Sequence, residues 1–453
     1  MNWPAHAGIL RIRLREQGNR LGKSLLIGPA LTVPAAALLA AALSKLDQRL
    51  PPGTLPPMLQ LSPEAGIQLL GTLAGATITT VGVVFSLILV SLQLASGQFS
   101  PRVQRVIFRG PLANLVVGAL VGVFTYCVVA LVAVSPHSLG EEQVVPELTI
   151  NVAVLFTLVA VGLLLVFLRR IADRQYVGRV IEDISRTTHE HVEELAREGT
   201  AVAVPPPDVT ALGQPYVVRA RREGWVQQIC LQAVLAAVPP GSVVQLETRA
   251  GALLVRGLPL ATVWPPPERP QPVERTVNRA VVVGDERTMQ QDVDFGLRQL
   301  TDIALRALSP AVNDPTTAVD VVLHLASVMR TLLLVELPPR ARRDRNGTVL
   351  LTPWDLDHDE YVRHAFDQLH RIVATHPHVA VVLVRSLRMC IETVEDAGRP
   401  ALRTEVQRQL HLTLKGCERA GLLPEDIAMV HQAATRPRCP SGGRPAEPPA
   451  VLH

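Results

Sequence analysis

The stretch TITTVGVVFSLILVSLQLASGQFSPRVQR, Thr77 to Arg105, is the part of the sequence that decides the fold. Its first charged residue is Arg102, and the uncharged run that leads up to it begins at Ala65. This run exceeds the roughly 20 residues with which a helix crosses the hydrocarbon core of a bilayer. The stretch therefore predicts a transmembrane helix that is long for a single crossing.

Small polar residues recur along this run at every seventh position, in the series Thr72, Thr79, Ser86, Gln93 and Ser100. Seven residues turn a helix by about 700°, so the series forms one slowly drifting stripe. Two interpretations stay open: a seam that packs on another helix, and the wall of a conduction path. Hydroxyl groups in membrane helices commonly face a neighbouring helix, whereas the Gln93 amide needs several hydrogen-bond partners.

Uncharged runs elsewhere predict three more spans, so that four are expected at about 24–45, 67–97, 112–134 and 148–168. Lysines and arginines precede the first span and follow the second and the fourth, whereas the loop after the third span has neither. The positive-inside rule then places both termini in the cytosol. A cleaved signal peptide is the alternative for the first run.

The segment after the second span is basic. Arg102, Arg105 and Arg109 lie on one side of the short amphipathic pattern RVQRVIFR. Such segments bind the anionic headgroups of the inner leaflet. The sequence thus predicts a lipid bilayer with anionic inner-leaflet headgroups as the partner of these arginines, and a charged stop signal without lipid contacts is the alternative.

The predicted fold class is an α-helical membrane protein, with four transmembrane helices followed by a cytosolic α+β C-terminal region. The expected segments are a basic cytosolic N-terminal tail (1–23), a transmembrane domain (24–168), a cytosolic linker helix (169–200), a small β-rich module (201–270), a cytosolic helical domain (271–434) and a disordered tail (435–453). The β-rich module resembles the sandwich of lipoyl- and biotin-carrier domains, although the carrier lysine is absent. A generic small β-barrel is the alternative.

Two patterns in the helical domain carry charge. Asp294, Arg298, Asp302 and Arg306 recur every four residues along one helix face. Such a ladder is either a solvated face, where each pair contributes a few tenths of a kcal/mol, or a partly buried network that holds neighbouring helices in register.

The loop SPAVNDP is the second pattern. Ser309 and Asp314 each precede a proline, which predicts an N-cap followed by proline at the first helical position. Two helix N-termini would then lie close together and hold an anion, with Arg306, Ser309, Asn313 and Asp314 as the candidate site. The alternative is a tight turn in which Asn313 and Asp314 satisfy the backbone amides themselves.

Two long stretches, TTVGVVFSLILVSLQLASGQFSPR and GDERTMQQDVDFGLRQLTDIALRALSPAVNDPTTAVD, resemble the domain of unknown function 2254 family of bacterial predicted membrane proteins. The likeness covers roughly residues 10 to 435. It implies a multi-pass plasma-membrane protein with a cytosolic C-terminal region. It supplies no activity, substrate or catalytic residue.

Several kinds of chemical site have no pattern in the sequence. It contains no HExxH, GxSxG or GxGxxG motif, and its five cysteines form no CxxC pair. We therefore expect no catalytic residue, no cofactor and no metal, and predict that the protein is not an enzyme; an enzyme with an unrecognised site is the last alternative. Basic residues flank the spans instead of forming one patch, so nucleic acid is not an expected partner.

The expected function is that of a sensor or scaffold in the bacterial inner (plasma) membrane, whose cytosolic domain binds a partner or an unknown small ligand. The four uncharged runs contain no ionisable Asp, Glu, Lys or Arg, which disfavours a coupled ion relay. The alternative is a homo-oligomeric channel or passive pore lined by the second span. Paired small residues, Gly71 with Gly75 and Gly118 with Gly122, predict a homo-oligomer because they let helix backbones approach.

Overall fold

Four apolar helices lie in the described part of the N-terminal region. The computed structural model describes residues 27–47, 49, 62–98, 111–134, 147–174, 176–199 and 202–435. The helices are α1 (Ile27–Asp47), α2 (Pro63–Gln98), α3 (Pro111–Val134) and α4 (Glu147–Arg174). The longest of them, α2, has 36 residues without a break, which corresponds to about 54 Å at 1.5 Å per residue.

The helix α3 is the centre of this group and contacts α1, α2 and α4. Where α1 meets α3, glycine lets the two backbones touch: a Cβ on Gly118 would lie 3.0 Å from the Gly28 carbonyl carbon. Thr32 Oγ1 donates to the Gly118 carbonyl oxygen at 2.7 Å, and a Cβ on Gly122 would lie 3.3 Å from the Thr32 Cβ. Gly118 and Gly122 therefore pack against α1 of the same chain. This corrects the expectation that they let the helices of two copies approach each other.

Five helices among the described residues are long and apolar enough to cross a membrane. Four of them are α1 to α4, and the fifth is Pro315–Leu334 in the C-terminal region. Length and composition alone thus show several apolar helices and do not single out four spans.

Internal contacts divide the chain into two compact units. The first consists of Met1–Val180 with the short stretches Cys230–Ala237 and Arg275–Ala280, and the second of Ile181–Ile229, Val238–Glu274 and Val281–His453. The expected linker helix is observed as α5 (Val177–Glu198). It packs inside the second unit, because a Cβ on Gly296 would overlap the hydroxyl of Thr188. The helix α5 is therefore a packed part of the second unit and not only a linker.

In the part of the chain that the structure describes, eight strands form two sheets. They are β1 (Tyr216–Arg219), β2 (Gly224–Ile229), β3 (Val243–Leu246), β4 (Leu253–Leu254), β5 (Pro259–Trp264), β6 (Val281–Gly284), β7 (Ala341–Arg343) and β8 (Val349–Leu351). One sheet has the order β1-β5-β3-β8-β7 and the other β4-β2-β6. The strand β8 pairs in parallel with β3, where Val244 lies opposite Leu350.

These pairings correct the expected domain boundary at residue 270. Strands β6, β7 and β8 come from the segment expected to be helical, and they complete both sheets. Neither the carrier-like sandwich nor a barrel confined to 201–270 is formed. Sequence periodicity missed the short strands because three or four apolar residues do not distinguish a strand from the end of a helix.

The remaining helices among the described residues lie between the strands of the sheets or follow the last strand. They are α6 (Leu231–Ala237), α7 (Pro270–Ala280), α8 (Val293–Ala307), α9 (Pro315–Leu334), α10 (His358–Phe366), α11 (Leu369–Ile372), α12 (Pro377–Asp396), α13 (Arg403–Arg419) and α14 (Pro424–Thr435). In the second unit α9 packs against α8 and α12. Its buried side chains, among them Val321, Leu325 and Met329, hold α8 in place, and the first turn of α8 carries the site described next.

Candidate functional site: a buried charge network

The polar stripe of α2 faces outward. Thr72, Thr79, Ser86 and Gln93 are all exposed in the isolated chain. The hydroxyl groups of Thr72 and Thr79 donate within the helix, to the carbonyl oxygens of Gln68 at 2.7 Å and Gly75 at 2.8 Å. Between Thr72 and Gln93 the stripe therefore forms no packing seam with the other described helices of the chain.

A different face of α2 packs on the other apolar helices. It carries Leu70, Thr77, Val84 and Ser91, which also recur at every seventh position and are all buried. Position 100 of the stripe and the three candidate lipid contacts, Arg102, Arg105 and Arg109, lie outside the described residues. Their roles stay predictions.

The loop between α8 and α9 differs from the expected anion site. Asp314 caps α9, since its carboxylate accepts from the Thr317 N–H at 3.0 Å and Pro315 begins the helix. Ser309 caps no helix, because its hydroxyl donates to the Arg306 carbonyl oxygen at 2.6 Å. Asn313 adopts a φ of 49° in the turn between them. One helix begins here instead of two, so the structure does not assemble the four residues into an anion site.

A dense group of buried charges lies at the start of α8, with Asp294 at its centre. The Asp294 side chain is 1% exposed. Arg287 Nη2 donates to Asp294 Oδ2 at 2.6 Å, and Arg298 Nε donates to the same oxygen at 3.0 Å. His364 Nδ1 lies 2.7 Å from Oδ1 and donates to it, since a carboxylate only accepts. Asp294 and Arg298, two residues of the charge ladder, thus belong to a partly buried network and not to a solvated helix face.

Arg287 joins Asp294 to a second carboxylate. Its Nε and Nη2 donate to Asp292 at 2.6 and 3.0 Å. Asp292 also accepts from the Phe295 N–H at 3.0 Å and so caps α8. The backbone of Gly251 passes close by, with a φ of 80°, and a Cβ there would overlap the Asp292 carboxylate. Glycine is therefore required at position 251 for two reasons, the backbone conformation and the space.

Burial and hydrogen bonding shift the pKa values of the two carboxylates in opposite directions. Burial raises the pKa of Asp294, but hydrogen bonds from His364 and Arg287 outweigh it and hold the pKa well below its usual range. Burial dominates at Asp292 and raises its pKa, although Arg287 offsets part of this. Burial also raises the pKa of the neighbouring Tyr361. Asp294 is thus the ionised centre of the network.

The network connects segments that are far apart in the sequence. Arg249, which follows β3, lies 3.9 Å from Asp294, and His364 belongs to α10. The side chains of Arg298 and His364 are 30% and 27% exposed, so a ligand or partner at this edge would meet these two groups. Within the part of the chain that the structure describes, no cluster of three or more His, Cys, Asp or Glu residues is arranged for a metal.

A further buried carboxylate, which the sequence did not predict, lies among the apolar helices. Asp47 ends α1 and accepts hydrogen bonds from the N–H groups of Leu148 at 3.1 Å and Thr149 at 2.9 Å, and from the Thr149 hydroxyl at 2.6 Å. Tyr126 of α3 donates to the Thr149 carbonyl oxygen at 3.0 Å. Asp47 thus caps α4 from another helix. The only signal in the sequence was one acidic residue just beyond the end of the first uncharged run.

Sequence comparison identifies the group of proteins to which this architecture belongs. Residues 22–389 match the family described as predicted membrane protein, domain of unknown function 2254. The chain belongs to this family. The match confirms the resemblance drawn from Thr79–Arg102 and Gly284–Asp320, and it includes all residues of the Asp294 network.

Relatives of this chain occur in Mycobacterium bovis and Mycobacterium tuberculosis. Uncharacterized proteins from these organisms are each 31% identical to this chain over 396 residues, which is 84% of this chain and 73% of the relative. No solved structure matches the chain. Family membership and the apolar helices together show a membrane protein, and the family brings no activity with it.

Proposed function

We propose that this member of the domain of unknown function 2254 family is a non-enzymatic sensor or scaffold anchored in the bacterial plasma membrane. Its second unit binds a partner or a small ligand in the cytosol. The observation that supports this is the Asp294 network, which fastens segments of the sheets and helices into one body. Such a body, with Arg298 and His364 at its edge, is suited to recognising an acidic group.

Four membrane crossings, α1 to α4, are part of this proposal. The fifth apolar helix, α9, carries Asp320, His324 and Arg330 and packs on α8 and α12 of the second unit. Ionisable residues at membrane depth are costly, which favours α9 as a core helix of a water-exposed domain. An even number of crossings puts both termini on one side, and the distribution of arginine supports the cytosol as that side.

Reporter fusions test this topology. Green fluorescent protein fused after Thr435 should fluoresce, and alkaline phosphatase at the same position should be inactive, because the first folds in the cytosol and the second outside it. Alkaline phosphatase inserted between Leu139 and Gly140, in the loop between α3 and α4, should be active. The opposite pattern at the C-terminal fusion would show an odd number of crossings and contradict the proposal.

The sensor or scaffold function is tested by electrical recording and by crosslinking in membranes. Purified full-length protein in a planar bilayer should give no unitary currents. A photoreactive amino acid placed at Arg298 should form a discrete adduct in native membranes, whereas the same group at the exposed Leu423 should not. Currents, or adducts that are equal at both positions, would count against this function.

One observation favours the alternative, a homo-oligomeric channel or passive pore. The described helices of the chain do not cover the stripe of α2, and added Cβ atoms on Gly71, Gly75 and Gly82 would meet nothing within 4 Å. A second copy packed on this face would give a homo-oligomer with the stripe between its subunits. Currents that Ser86→Leu abolishes would support the pore.

A further inference from the structure

We propose that one end of the β-rich part of the second unit binds the headgroup region of an anionic lipid bilayer. This surface, here called the basic turn surface, consists of β4, the turn Val255–Leu258 and the connection 219–223. The inference requires that the protein is anchored in a membrane, and it holds whatever partner or ligand the second unit binds.

Backbone hydrogen bonds place the two connections of this surface side by side. The Ala220 N–H donates to the Leu258 carbonyl oxygen at 2.9 Å, and the Gly257 N–H donates to the Ala220 carbonyl oxygen at 2.9 Å. Arg219 Nη1 donates to the Gly257 carbonyl oxygen at 2.9 Å. The segment with Arg221 and Arg222 therefore begins directly beside the turn.

The turn presents aliphatic side chains to the outside. Leu253, Val255 and Leu258 are 57%, 42% and 53% exposed, whereas Leu254 between them is buried. This is the alternation expected of a strand with one face on the core. The turn closes with a hydrogen bond from the Leu258 N–H to the Val255 carbonyl oxygen at 3.2 Å, at the positive φ of Gly257. Three exposed aliphatic side chains thus belong to a turn that is closed by its own hydrogen bond.

The charge around this turn is mainly positive. Arg219, Arg221, Arg222 and Arg256 are exposed. The acidic residues near them include Glu223, which is adjacent in the chain, and Glu274, whose carboxylate lies 3.3 Å from Arg221 Nη2. The exposed Asp285 is a third, because it follows Gly284, which pairs with Trp225. Four positive groups against these three negative ones leave a net positive charge. Such a surface is attracted to anionic headgroups, while aliphatic side chains enter the boundary with the acyl chains.

A lipid bilayer is the occupant that these features fit. The turn is closed by its own hydrogen bond, and its three exposed aliphatic side chains lie beside arginines on the same surface. The chain is itself anchored in a membrane, so the bilayer is present at a high effective concentration. An acidic protein surface would pair with the arginines but would leave the three aliphatic side chains without an apolar contact.

Photocrosslinking to lipid tests the inference on the full-length protein. The chain is reconstituted in nanodiscs of phosphatidylcholine with about 30% phosphatidylglycerol, where anionic lipid faces both sides of the disc and membrane orientation does not matter. A small fraction of the phosphatidylglycerol carries a diazirine close to its headgroup. Peptides covering 251–259 should carry lipid adducts after illumination, and discs of phosphatidylcholine alone with matching diazirine lipid should give fewer.

Two sets of variants separate lipid binding from misfolding. The triple variant Arg221→Gln, Arg222→Gln, Arg256→Gln should lower the adduct yield at 251–259 by at least about fivefold, the effect expected from the loss of a single such charge. The triple variant Arg345→Gln, Arg371→Gln, Arg419→Gln removes the same charge from other exposed positions and should leave the yield unchanged. Adducts on α2 serve as the internal reference in every sample.

Three results would overturn the inference. The first is the absence of adducts at 251–259 while α2 is labelled. The second is an equal yield in neutral and anionic discs or in both triple variants. The third is protection of the basic turn surface by a co-purified protein instead of lipid. None of these results bears on the sensor or scaffold function, which the crosslinks at Arg298 test separately.

Discussion

At the scale of single residues, the sequence does not show whether Asp294 lies on a solvated face or in a buried network. Its spacing to Arg298 is the same for a solvated ladder and for a buried network. The deciding partners, Arg287 and His364, come from a loop and from another helix. A carboxylate that is 1% exposed depends on these partners, because an unpaired buried charge is costly.

Replacing Asp294 by Asn should destabilise the second unit by about 3–5 kcal/mol, because it leaves buried cations without their counter-charge. The pKa of Asp294 is lowered in the folded state, so its stabilisation is present above the unfolded pKa of about 3.9 and is lost as the pH falls below that value. Thermal melting of the detergent-solubilised protein between pH 7 and pH 3 measures both effects. The wild type should lose its advantage over Asp294→Asn as the pH falls.

The control for this prediction is Asp183→Asn. Asp183 pairs with Arg186 on the surface of α5, where both side chains are more than half exposed. Its loss should change the stability by less than about 1 kcal/mol. Equal losses for the two variants would show that the Asp294 network contributes no more than a surface pair.

Asp47 leads to a second prediction at this scale. Asp47→Ala removes the acceptor for two N–H groups of α4, and we expect a loss of about 0.5–2 kcal/mol, the usual range for an N-cap. Unfolding of the purified protein in mixed detergent micelles measures it. Glu64→Ala, at an exposed position in the first turn of α2, is the control and should have a smaller effect. No difference between the two variants would contradict the capping role of Asp47.

At the scale of secondary structure, the contact between α1 and α3 depends on glycine. A Cβ on Gly28 would overlap the Asn114 carbonyl oxygen, whereas a Cβ on Gly75 would meet nothing within 4 Å. Gly28→Val should therefore separate the two helices and lower the free energy of unfolding by about 1–3 kcal/mol, the usual effect of overpacking a core. Gly75→Val is the matched control within an apolar helix and should leave the monomer stable. The same unfolding measurement compares them, and a tolerated Gly28→Val would refute the close contact.

At the scale of the whole molecule, the outward stripe of α2 raises the question of a second copy. In a background that lacks Cys230 and Cys439, Thr79→Cys should form a disulfide-linked dimer on oxidation in native membranes. Gly75→Val should reduce this dimer, because it blocks close approach of two α2 helices. The absence of any dimer would count against the homo-oligomer.

Thiol labelling of the same stripe separates a seam between copies from a conduction path. For a seam, a water-soluble reagent should label Gln93→Cys and leave Thr79→Cys and Ser86→Cys unmodified. For a path, all three positions should react, since water reaches them along its length. The three variants lie on one face of one helix, so each serves as a control for the others.

The sequence by itself determined the apolar helices, their approximate bounds and the family. Transfer of about 20 apolar residues into a bilayer depends on composition alone, and composition is read directly from the chain. The sequence also determined that Asp314 is the N-cap of α9. An N-cap side chain accepts hydrogen bonds from N–H groups in the first turn of the helix that it precedes, and these groups are close by in the sequence.

Only the tertiary structure decided which face of α2 is covered, which acids are buried and how the sheets are completed. The face with Leu70 and the face with Thr72 have the same seven-residue repeat, and their difference arises from the position of α3 and α4. Asp294 binds His364 about 70 residues away in addition to its nearby arginines, and Asp47 binds groups about 100 residues away. The strand β8 pairs with β3 across a similar separation. Burial and strand pairing depend on such distant neighbours, and no local pattern specifies them.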